Sequence, residues 1–276
     1  MNPPKNKFTG EPWASNQGID SLWQAIVDEI QVHAQREPEL ASYFHDAVLS
    51  HASLQEALAY NLALQLDSNI LSALAIRQVF AEALGTDSEI IANMCRDLSA
   101  HVERDPACDQ YSLPLLYFKG FHALQIYRIA NWLWRNDRRH MALYLQNRVS
   151  EIFAVDIHPA AQIGSGIMVD HATGLVVGET TVIGDNVSML HSVTLGGTGA
   201  EAGDRHPKIH RGVLIAAGAK ILGNIDVGEG AKIGAGSLVL ESVPAHTTVA
   251  GVPAKIVGHP TEAEPAREMD QRIEGC

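Results

Sequence analysis

Cysteine is scarce in this sequence, which contains only Cys95, Cys108 and Cys276 among 276 residues. The number is odd and no two of them have the CxxC spacing, so we expect no disulfide framework. Few cysteines without a pairing pattern are typical of a protein that works in a reducing compartment.

Basic residues are also few, with 20 Lys and Arg against 32 Asp and Glu and a net charge of −12. Nucleic acids and anionic membrane surfaces are both bound by basic faces, so we expect neither partner. No apolar run approaches the length of about 20 residues that a spanning helix needs. The first residues, MNPPKNKFTGEPW, lack the apolar core of a signal peptide. These features together predict a cytoplasmic protein.

The first half of the sequence has the apolar spacing of helices. Leu22, Ile26 and Ile30 follow one another at four-residue steps, and similar patterns continue to about residue 150. Thr86-Asp87-Ser88 after Gly85 indicates a helix end followed by a new cap. We therefore predict an all-helical domain over residues 1–153, with helices near residues 54–66, 68–84, 88–102, 115–135 and 138–150.

The second half has a different period. Aliphatic residues recur every six positions, slip by two after Leu175, and resume before and after a polar loop at 196–208. A period of six fits neither a helix nor a free alternating strand, but it fits a solenoid of short strands with tight corners. We predict a parallel β-helix over 154–260 and a flexible tail over 261–276. The cleanest run is Ile209, Ile215, Ile221, Val227, Ile233 and Val239.

Histidines in the repeat region are the first candidates for chemistry. His171 follows Asp156 at a distance in sequence close to one coil of three hexads, so the two are predicted to stand near each other. A carboxylate beside an imidazole fixes the tautomer and strengthens it as a base, which suits deprotonation of an alcohol. The alternative is that His171 is a surface histidine at a corner of the coil.

The loop at 196–208 interrupts an otherwise strict repeat, and such interruptions often carry a binding site. Arg205 in this loop can bind a carboxylate through two parallel hydrogen bonds. The alternative is a solvated, flexible loop, which its glycines favour over residues 199–203.

Several strings of the sequence resemble the serine acetyltransferase family, over about residues 19–260. They are RDPACDQYSLPLLYFKGFHALQIYRIANWLW, VDIHPAAQIGSGIMVDHATGLVVGETTVIGDNV, SVTLGGTG, GDRHPKI, GAKILGNIDVGEGAKIGAGSLVL and HTTVAGVPAKIVG. The resemblance implies an α+β protein, in which a helical domain precedes a left-handed β-helix of hexapeptide repeats. It also implies transfer of the acetyl group of acetyl-CoA to L-serine, the first step of cysteine biosynthesis, with inhibition by L-cysteine.

The resemblance implies a role for particular residues. His171 would be the general base and Asp156 would orient it. His206 would position the serine, Arg205 would bind its carboxylate, and its ammonium group would be received by Asp105 and Asp170.

The resemblance also implies a place for acetyl-CoA as co-substrate, in a groove between coils, with no metal. The oxyanion would be held by backbone N–H groups near Gly197, and the phosphates would meet Lys232 or Lys255. The alternative for each lysine is a solvated corner. The pantetheine arm would bond backbone groups around Ala217, Gly218 and Ala235.

The family forms trimers through the β-helices, with sites between neighbouring subunits, and hexamers through the helical halves. Members that bind O-acetylserine sulfhydrylase insert a C-terminal isoleucine into that enzyme. This chain ends in Cys276, so it departs from the pattern that this partner needs. His191 is a second departure, because glutamine is expected there in enteric relatives.

Three other functions are compatible with parts of the pattern. An O-acetyltransferase for sugars or antibiotics shares the histidine base and the CoA groove, but usually lacks the long helical half. A β-helix carbonic anhydrase would need three histidine ligands from adjacent subunits, for which His158, His171 and His206 are the candidates. A scaffold that only binds an enzyme would not need the Asp156, His171 and His206 set.

Overall fold

The computed structural model of the chain describes residues 16–199 and 202–273. Cys276, on which the prediction about the sulfhydrylase rested, lies outside them. The chain divides into two compact units, one ending at Phe118 and the other beginning at Lys119. The predicted boundary at 153/154 instead marks the point where helices give way to strands.

The first unit is helical, and polar caps set several of its boundaries. Ser53, Ser72 and Asp87 each accept a hydrogen bond from a backbone N–H in the first turn of the following helix. The helices are α1 (Asn16–Arg36), α2 (Ala41–Phe44), α3 (Leu54–Gln65), α4 (Ala73–Thr86), α5 (Ser88–Arg104) and α6 (Ser112–Tyr117), with a 3₁₀ turn at Pro38–Leu40 and a π-helical turn at His45–Leu49.

Two sequence predictions differ from these bounds. The helix predicted from residue 68 begins five residues later, because Ser72 adopts the extended conformation of a cap and accepts from the N–H of Ala75. The helix predicted over 115–135 is two helices, since Phe118 is extended (φ −91°, ψ 103°) and ends α6.

The second unit opens with two helices and continues as the β-helix. The helices are α7 (Lys119–Arg135) and α8 (Arg139–Phe153), and α8 ends at Ala154 in the left-handed conformation (φ 55°). The strands are β1 (Val155–Ile157), β2 (Gln162–Ile163), β3 (Met168–Val169), β4 (Leu175–Val177), β5 (Val182–Ile183), β6 (Ser188–Met189), β7 (Thr194–Gly196), β8 (Lys208–Ile209), β9 (Leu214–Ile215), β10 (Lys220–Leu222), β11 (Asp226–Val227), β12 (Lys232–Ile233), β13 (Leu238–Val239), β14 (Thr248–Gly251) and β15 (Ala254–Gly258).

These strands form three sheets, which are the three walls of a left-handed parallel β-helix. Their orders are β1-β4-β7-β10-β13, β11-β8-β5-β2 and β15-β14-β12-β9-β6-β3, and β15 alone pairs antiparallel. The aliphatic residues of the six-residue repeat fill the core between the walls, as predicted. Ile215, Ile221, Val227 and Ile233 have no exposed surface at all.

The strand register explains the irregularities of the repeat. Val155 pairs with Leu175, so the first coil is slightly longer than three hexads. Thr194 pairs with Lys220, so the coil that contains the polar loop exceeds three hexads by more than one hexad. Later coils return to three hexads, as when Lys220 pairs with Leu238. The extra residues are accommodated at corners, where they carry the candidate site.

The described part of the tail packs on the β-helix. A short helix, α9 (Pro265–Glu268), lies over the wall that contains β9. The Ser188 hydroxyl donates to the Ala266 carbonyl at 2.8 Å, and Ala266 is fully buried. Small residues of the tail therefore cover outward positions of this wall. No helix among the described residues is long and apolar enough to cross a membrane.

Candidate active site

His171 lies at the corner between β3 and β4, in an uncommon backbone conformation. His171 and Ala172 both have positive φ, at 57° and 60°, a region that costs non-glycine residues energy. The Ala172 N–H bonds the Asp170 carbonyl at 2.6 Å and the Thr173 N–H bonds the His171 carbonyl at 2.7 Å. The His171 side chain is 72% exposed. Residues held in such strained backbone conformations cluster at functional sites.

The start of α7 supports this corner from behind. A Cβ on Gly120 would lie 2.1 Å from the Val169 carbonyl oxygen and 3.1 Å from the Ala172 Cβ, so only glycine allows the helix to approach this closely. The Lys119 ammonium donates to the Thr173 hydroxyl. The corner is therefore held in place by helix α7 as well as by its own hydrogen bonds.

Two side chains neighbour the His171 ring. Its Nε2 is 3.6 Å from Oδ2 of Asp170, and the His191 ring stands edge-on to it with centroids 5.8 Å apart. Nδ1 of His191 is buried and has no hydrogen-bond partner among the described residues. An acidic residue beside His171 is available to a cationic substrate group or to the imidazolium that a general base becomes.

Asp156, the predicted partner of His171, lies on β1 opposite Val176. Its Oδ1 accepts a hydrogen bond from Nε2 of Gln146 on α8 at 2.6 Å, while the ion-pair contact of His171 is with Asp170. The prediction assumed a first coil of three hexads, and the actual coil is longer. Asp156 lies in a strand, whereas His171 lies at a corner. The role of Asp156 in orienting His171 stays a prediction.

His206 lies at a different corner and is almost buried, with 7% of its surface exposed. The Thr180 N–H donates to its Nδ1 at 3.2 Å, and Oγ1 of Thr180 is 2.8 Å from the same nitrogen. Since Nδ1 accepts from a backbone N–H, the proton of the neutral ring is assigned to Nε2. Burial, aided by the positive charge of Arg205, lowers the pKa of His206 below its ordinary value. The site therefore offers a neutral imidazole whose Nε2–H can donate to a substrate.

Arg205 and Gly197 belong to the same corner. The Arg205 guanidinium donates to Oε2 of Glu179 at 2.8 Å, and this bond holds the pKa of Glu179 below its usual range. A Cβ on Gly197 would lie 3.4 Å from the Arg205 carbonyl oxygen. Arg205, the predicted ligand of the substrate carboxylate, and Gly197, the predicted donor to the oxyanion, are thus neighbours.

His158 lies at the corresponding corner of the first coil, where its ring stands edge-on to Trp134 with centroids 5.2 Å apart. Burial lowers the pKa of His158, while the charges of Glu179 and Asp156 raise it. The His158 N–H bonds the Val177 carbonyl at 3.0 Å, so His158 stacks on the residues that follow β4.

The chain does not bring all the predicted residues to one place. The corners before β4, β7, β10 and β13 form one edge of the three-walled β-helix, which we call the His171 edge. The corners after β1, β4 and β7 form another, the His206 edge, which contains His158, Arg205 and Gly197. The three residues of β4 separate the two edges by about 10 Å of extended chain.

The predicted pantetheine contacts lie on the His171 edge. The Gly218 N–H bonds the His191 carbonyl at 2.9 Å, and the Gly236 N–H bonds the Ala217 carbonyl at 2.8 Å, so His191, Ala217 and Ala235 follow one another up the coils. Ala235 and Gly236 are exposed. The predicted base and the predicted cofactor groove are therefore continuous along one edge.

The two predicted phosphate ligands differ in accessibility. Lys232 is 5% exposed and its ammonium donates to the Arg272 carbonyl of the tail at 2.6 Å. Lys255 is exposed and lines a groove of about 550 Å³ at the C-terminal end of the β-helix. In this conformation Lys255 is the more available of the two to an anion.

Asp105 belongs to the first unit, where it ends α5. Its Oδ1 accepts from the Ala107 N–H at 2.8 Å, which shapes the turn at Pro106. Asp105 is partly exposed.

The three histidines that a zinc enzyme would need are not gathered in one chain. His158 and His206 lie on the His206 edge, and His171 lies on the other. Among residues 16–199 and 202–273, no three His, Cys, Asp or Glu side chains are arranged to hold a metal ion.

Sequence reasoning missed four residues that organise these corners: Gln146, Gly178, Glu179 and Thr180. The last three stand directly after β4 and meet the loop only because the loop lengthens its own coil. The loop has no sequence repeat, so its contacts with these residues were not predictable from the sequence. Gln146 lies on α8, directly before β1, and its contact depends on how this helix packs on the strand, which the apolar spacing does not record.

The fold and the corners define a class of protein: a hexapeptide-repeat transferase with a helical N-terminal region. The model of the N-terminal part of serine acetyltransferase matches residues 22–126, and the bacterial transferase hexapeptide model matches residues 206–241. A serine acetyltransferase of Salmonella typhimurium is 60% identical over 257 residues, which are 93% of this chain and 94% of the relative. The chain belongs to the serine acetyltransferase family.

Solved structures agree with this assignment. Serine acetyltransferase from Vibrio cholerae has a TM-score of 0.92 and 57% identity, over 93% of this chain and 99% of that one. A serine acetyltransferase in complex with cysteine has a TM-score of 0.89 and 54% identity, over 91% and 98%. The enzyme from Brucella abortus in complex with coenzyme A has a TM-score of 0.86 and 51% identity, over 88% and 97%.

Proposed function

We propose that the protein transfers the acetyl group of acetyl-CoA to the hydroxyl of L-serine, giving O-acetyl-L-serine and CoA. The observation that carries the proposal is the His171 edge. It presents an exposed imidazole on a strained corner, in line with the exposed backbone of Ala235 and Gly236. A base beside a groove for the donor is what attack by an alcohol on a thioester requires.

In the proposed reaction His171 takes the proton of the serine hydroxyl as its oxygen attacks the thioester carbon. A C–O bond forms, the carbonyl oxygen becomes an oxyanion, and the Gly197 N–H stabilises it. The intermediate then collapses with cleavage of the C–S bond, and the imidazolium returns its proton to the CoA sulfur. No covalent enzyme intermediate is needed.

The serine would be held through its two charged groups. Arg205 has further donors beyond those used by Glu179 and the Gly203 carbonyl, and these would bind the substrate carboxylate. His206 would donate from Nε2 to the same region. Asp170, beside His171, would receive the ammonium group together with Asp105. The proposed contacts use both charges of a free amino acid, which a sugar lacks.

Because His171 and Arg205 lie on separate edges, we propose that each site forms between neighbouring copies of a trimer. Two trimers would join through the helical regions into a hexamer. Backbone groups around Ala217, Gly218 and Ala235 would serve the pantetheine arm, and Lys232 or Lys255 the phosphates. The coenzyme A complex of the Brucella abortus enzyme supports this donor.

The related structure with cysteine supports a second ligand for the serine position. Cysteine carries the same carboxylate and ammonium groups, so it would compete with serine as an inhibitor. A protein that supplies cysteine biosynthesis in this way would work in the cytoplasm.

The test is an acceptor panel. Thiol release from acetyl-CoA is followed with L-serine, D-serine, L-homoserine and a sugar acceptor, each with and without L-cysteine. Release that depends on L-serine and is suppressed competitively by L-cysteine supports the proposal. Release that depends on the sugar alone, or no release from folded protein, contradicts it.

A further inference from the structure

The loop that begins at Asp105 is held by helix α1. Its first part is a self-contained turn, in which the Cys108 N–H bonds the Asp105 carbonyl at 3.1 Å. Its second part, residues 110–112, has contacts beyond the loop. All of these residues belong to the first unit.

The Glu29 carboxylate makes two of these contacts. The Tyr111 N–H donates to its Oε1 at 3.1 Å and the Ser112 N–H donates to its Oε2 at 2.8 Å. Both oxygens are therefore used, one for each of two consecutive backbone groups. Burial raises the pKa of Glu29, as expected of a carboxyl group that has exchanged water for protein.

His33 makes the third contact, one helical turn after Glu29. Its Nε2 is 2.7 Å from Oε1 of Gln110. Residues four apart lie on the same face of a helix, so α1 offers two adjacent side chains to residues 110–112, where the loop ends and α6 begins. Tyr111 and Ser112 are also buried. Their burial and these hydrogen bonds restrict the conformation of the loop at this end.

We infer that Glu29 is a positioning residue for the substrate ammonium group. By holding Tyr111 and Ser112 it fixes the end of the loop whose start is Asp105, and His33 assists through Gln110. The inference rests on the proposed function, in which Asp105 receives the ammonium group of serine. Glu29 touches no substrate itself and acts through the loop.

The perturbation is Glu29→Gln, which keeps the shape but points an amide N–H₂ at one of the two backbone donors. The matched control is Asp28→Asn on the same helix. Asp28 is exposed and accepts only from Gln24 among the described residues, at 2.7 Å. Both variants lose one negative charge, so a difference between them reflects the loop contact and not the charge.

Two readouts are expected to change together in the intact protein. Hydrogen exchange of residues 105–112 becomes faster in Glu29→Gln, and the KM for serine rises about tenfold, as for loss of one buried hydrogen-bond pair. The KM for acetyl-CoA stays within about twofold, because the donor groove does not include the loop. Asp28→Asn matches wild type in each. His33→Ala, which removes only the Gln110 contact, shifts both readouts less and in the same direction.

A double-mutant cycle separates positioning from simple stabilisation. In an Asp105→Ala background, Glu29→Gln is expected to leave the KM for serine unchanged, since its effect passes through Asp105. Additive effects, an equal rise in both KM values, or unchanged exchange of residues 105–112 would overturn the inference. Failure of the proposed function has a separate signature: wild type without serine-dependent turnover, or an Asp105→Ala protein with a normal KM for serine.

Discussion

Gly178 makes the burial of His206 possible, and replacing it with alanine tests the His206 edge. An alanine Cβ at this position would lie 2.0 Å from both Cδ2 and Nε2 of the His206 ring. Ordinary contact between such atoms is about 3.5–4.0 Å, so the ring has to retreat by about 1.5 Å. The Thr180 N–H bond to Nδ1, already 3.2 Å long, does not survive a shift of that size.

The magnitude follows from what the ring loses. Leaving one buried polar group without its partner costs about 1–3 kcal/mol. A misplacement of about 1 Å in a reacting site costs up to about 10²-fold in rate. We therefore expect kcat/KM for serine to fall by about 10- to 10²-fold in Gly178→Ala. The assay is thiol release from acetyl-CoA at varied serine, with a thermal melt of the same samples.

Gly85→Ala is the control, because a Cβ there meets nothing within 4 Å. It is expected to keep the activity of wild type and to stabilise helix α4 slightly. A Gly178→Ala protein with unchanged kcat/KM and an unchanged melting temperature would refute the account of how His206 is held.

Two further predictions concern stability. Gly120→Ala drives a Cβ to within 2.1 Å of the Val169 carbonyl, and because backbone cannot yield as a side chain does, we expect a loss of about 1–3 kcal/mol; an unchanged denaturant midpoint would contradict this. Burial lowers the pKa of His206 below its ordinary 6.5, so the unfolded chain takes up this proton at higher pH than the folded one does. The stabilisation is complete above about pH 6.5 and is lost as the pH falls through and below it. His206→Asn is expected to flatten this dependence, and an unchanged slope would exclude His206 as a source.

The β-helix was predictable because its repeat records which side chains enter the core. Ile215, Ile221 and Ile233 stand one or two hexads apart, and all three are fully buried. A corner every six residues follows from this spacing, so the three walls were predictable as well. The slip of two residues in the repeat corresponds to the extra length of the first coil.

The packing of the long loop was not predictable in the same way. Its backbone has no period, and the contact of Arg205 with Glu179 depends on the number of residues that the loop adds. The pairing of Asp156 with His171 stays a prediction, while the hydrogen bond from Gln146 to the Asp156 carboxylate has no counterpart in the period of the repeat. Helix starts were uncertain for a related reason: apolar spacing continued through Ile70, which is 86% exposed, while the cap at Ser72 set the actual boundary.

The roles of His171 and L-serine are the central claim, and one comparison tests both. Thiol release from acetyl-CoA is measured with L-serine for wild type, His171→Ala and His210→Asn. His210 is an exposed histidine bonded to Asp226 at 2.9 Å, away from the His171 edge. We predict that wild type and His210→Asn release thiol in a serine-dependent manner, and that His171→Ala loses about 10²-fold or more. Full serine-dependent release by a folded His171→Ala protein would contradict the claim.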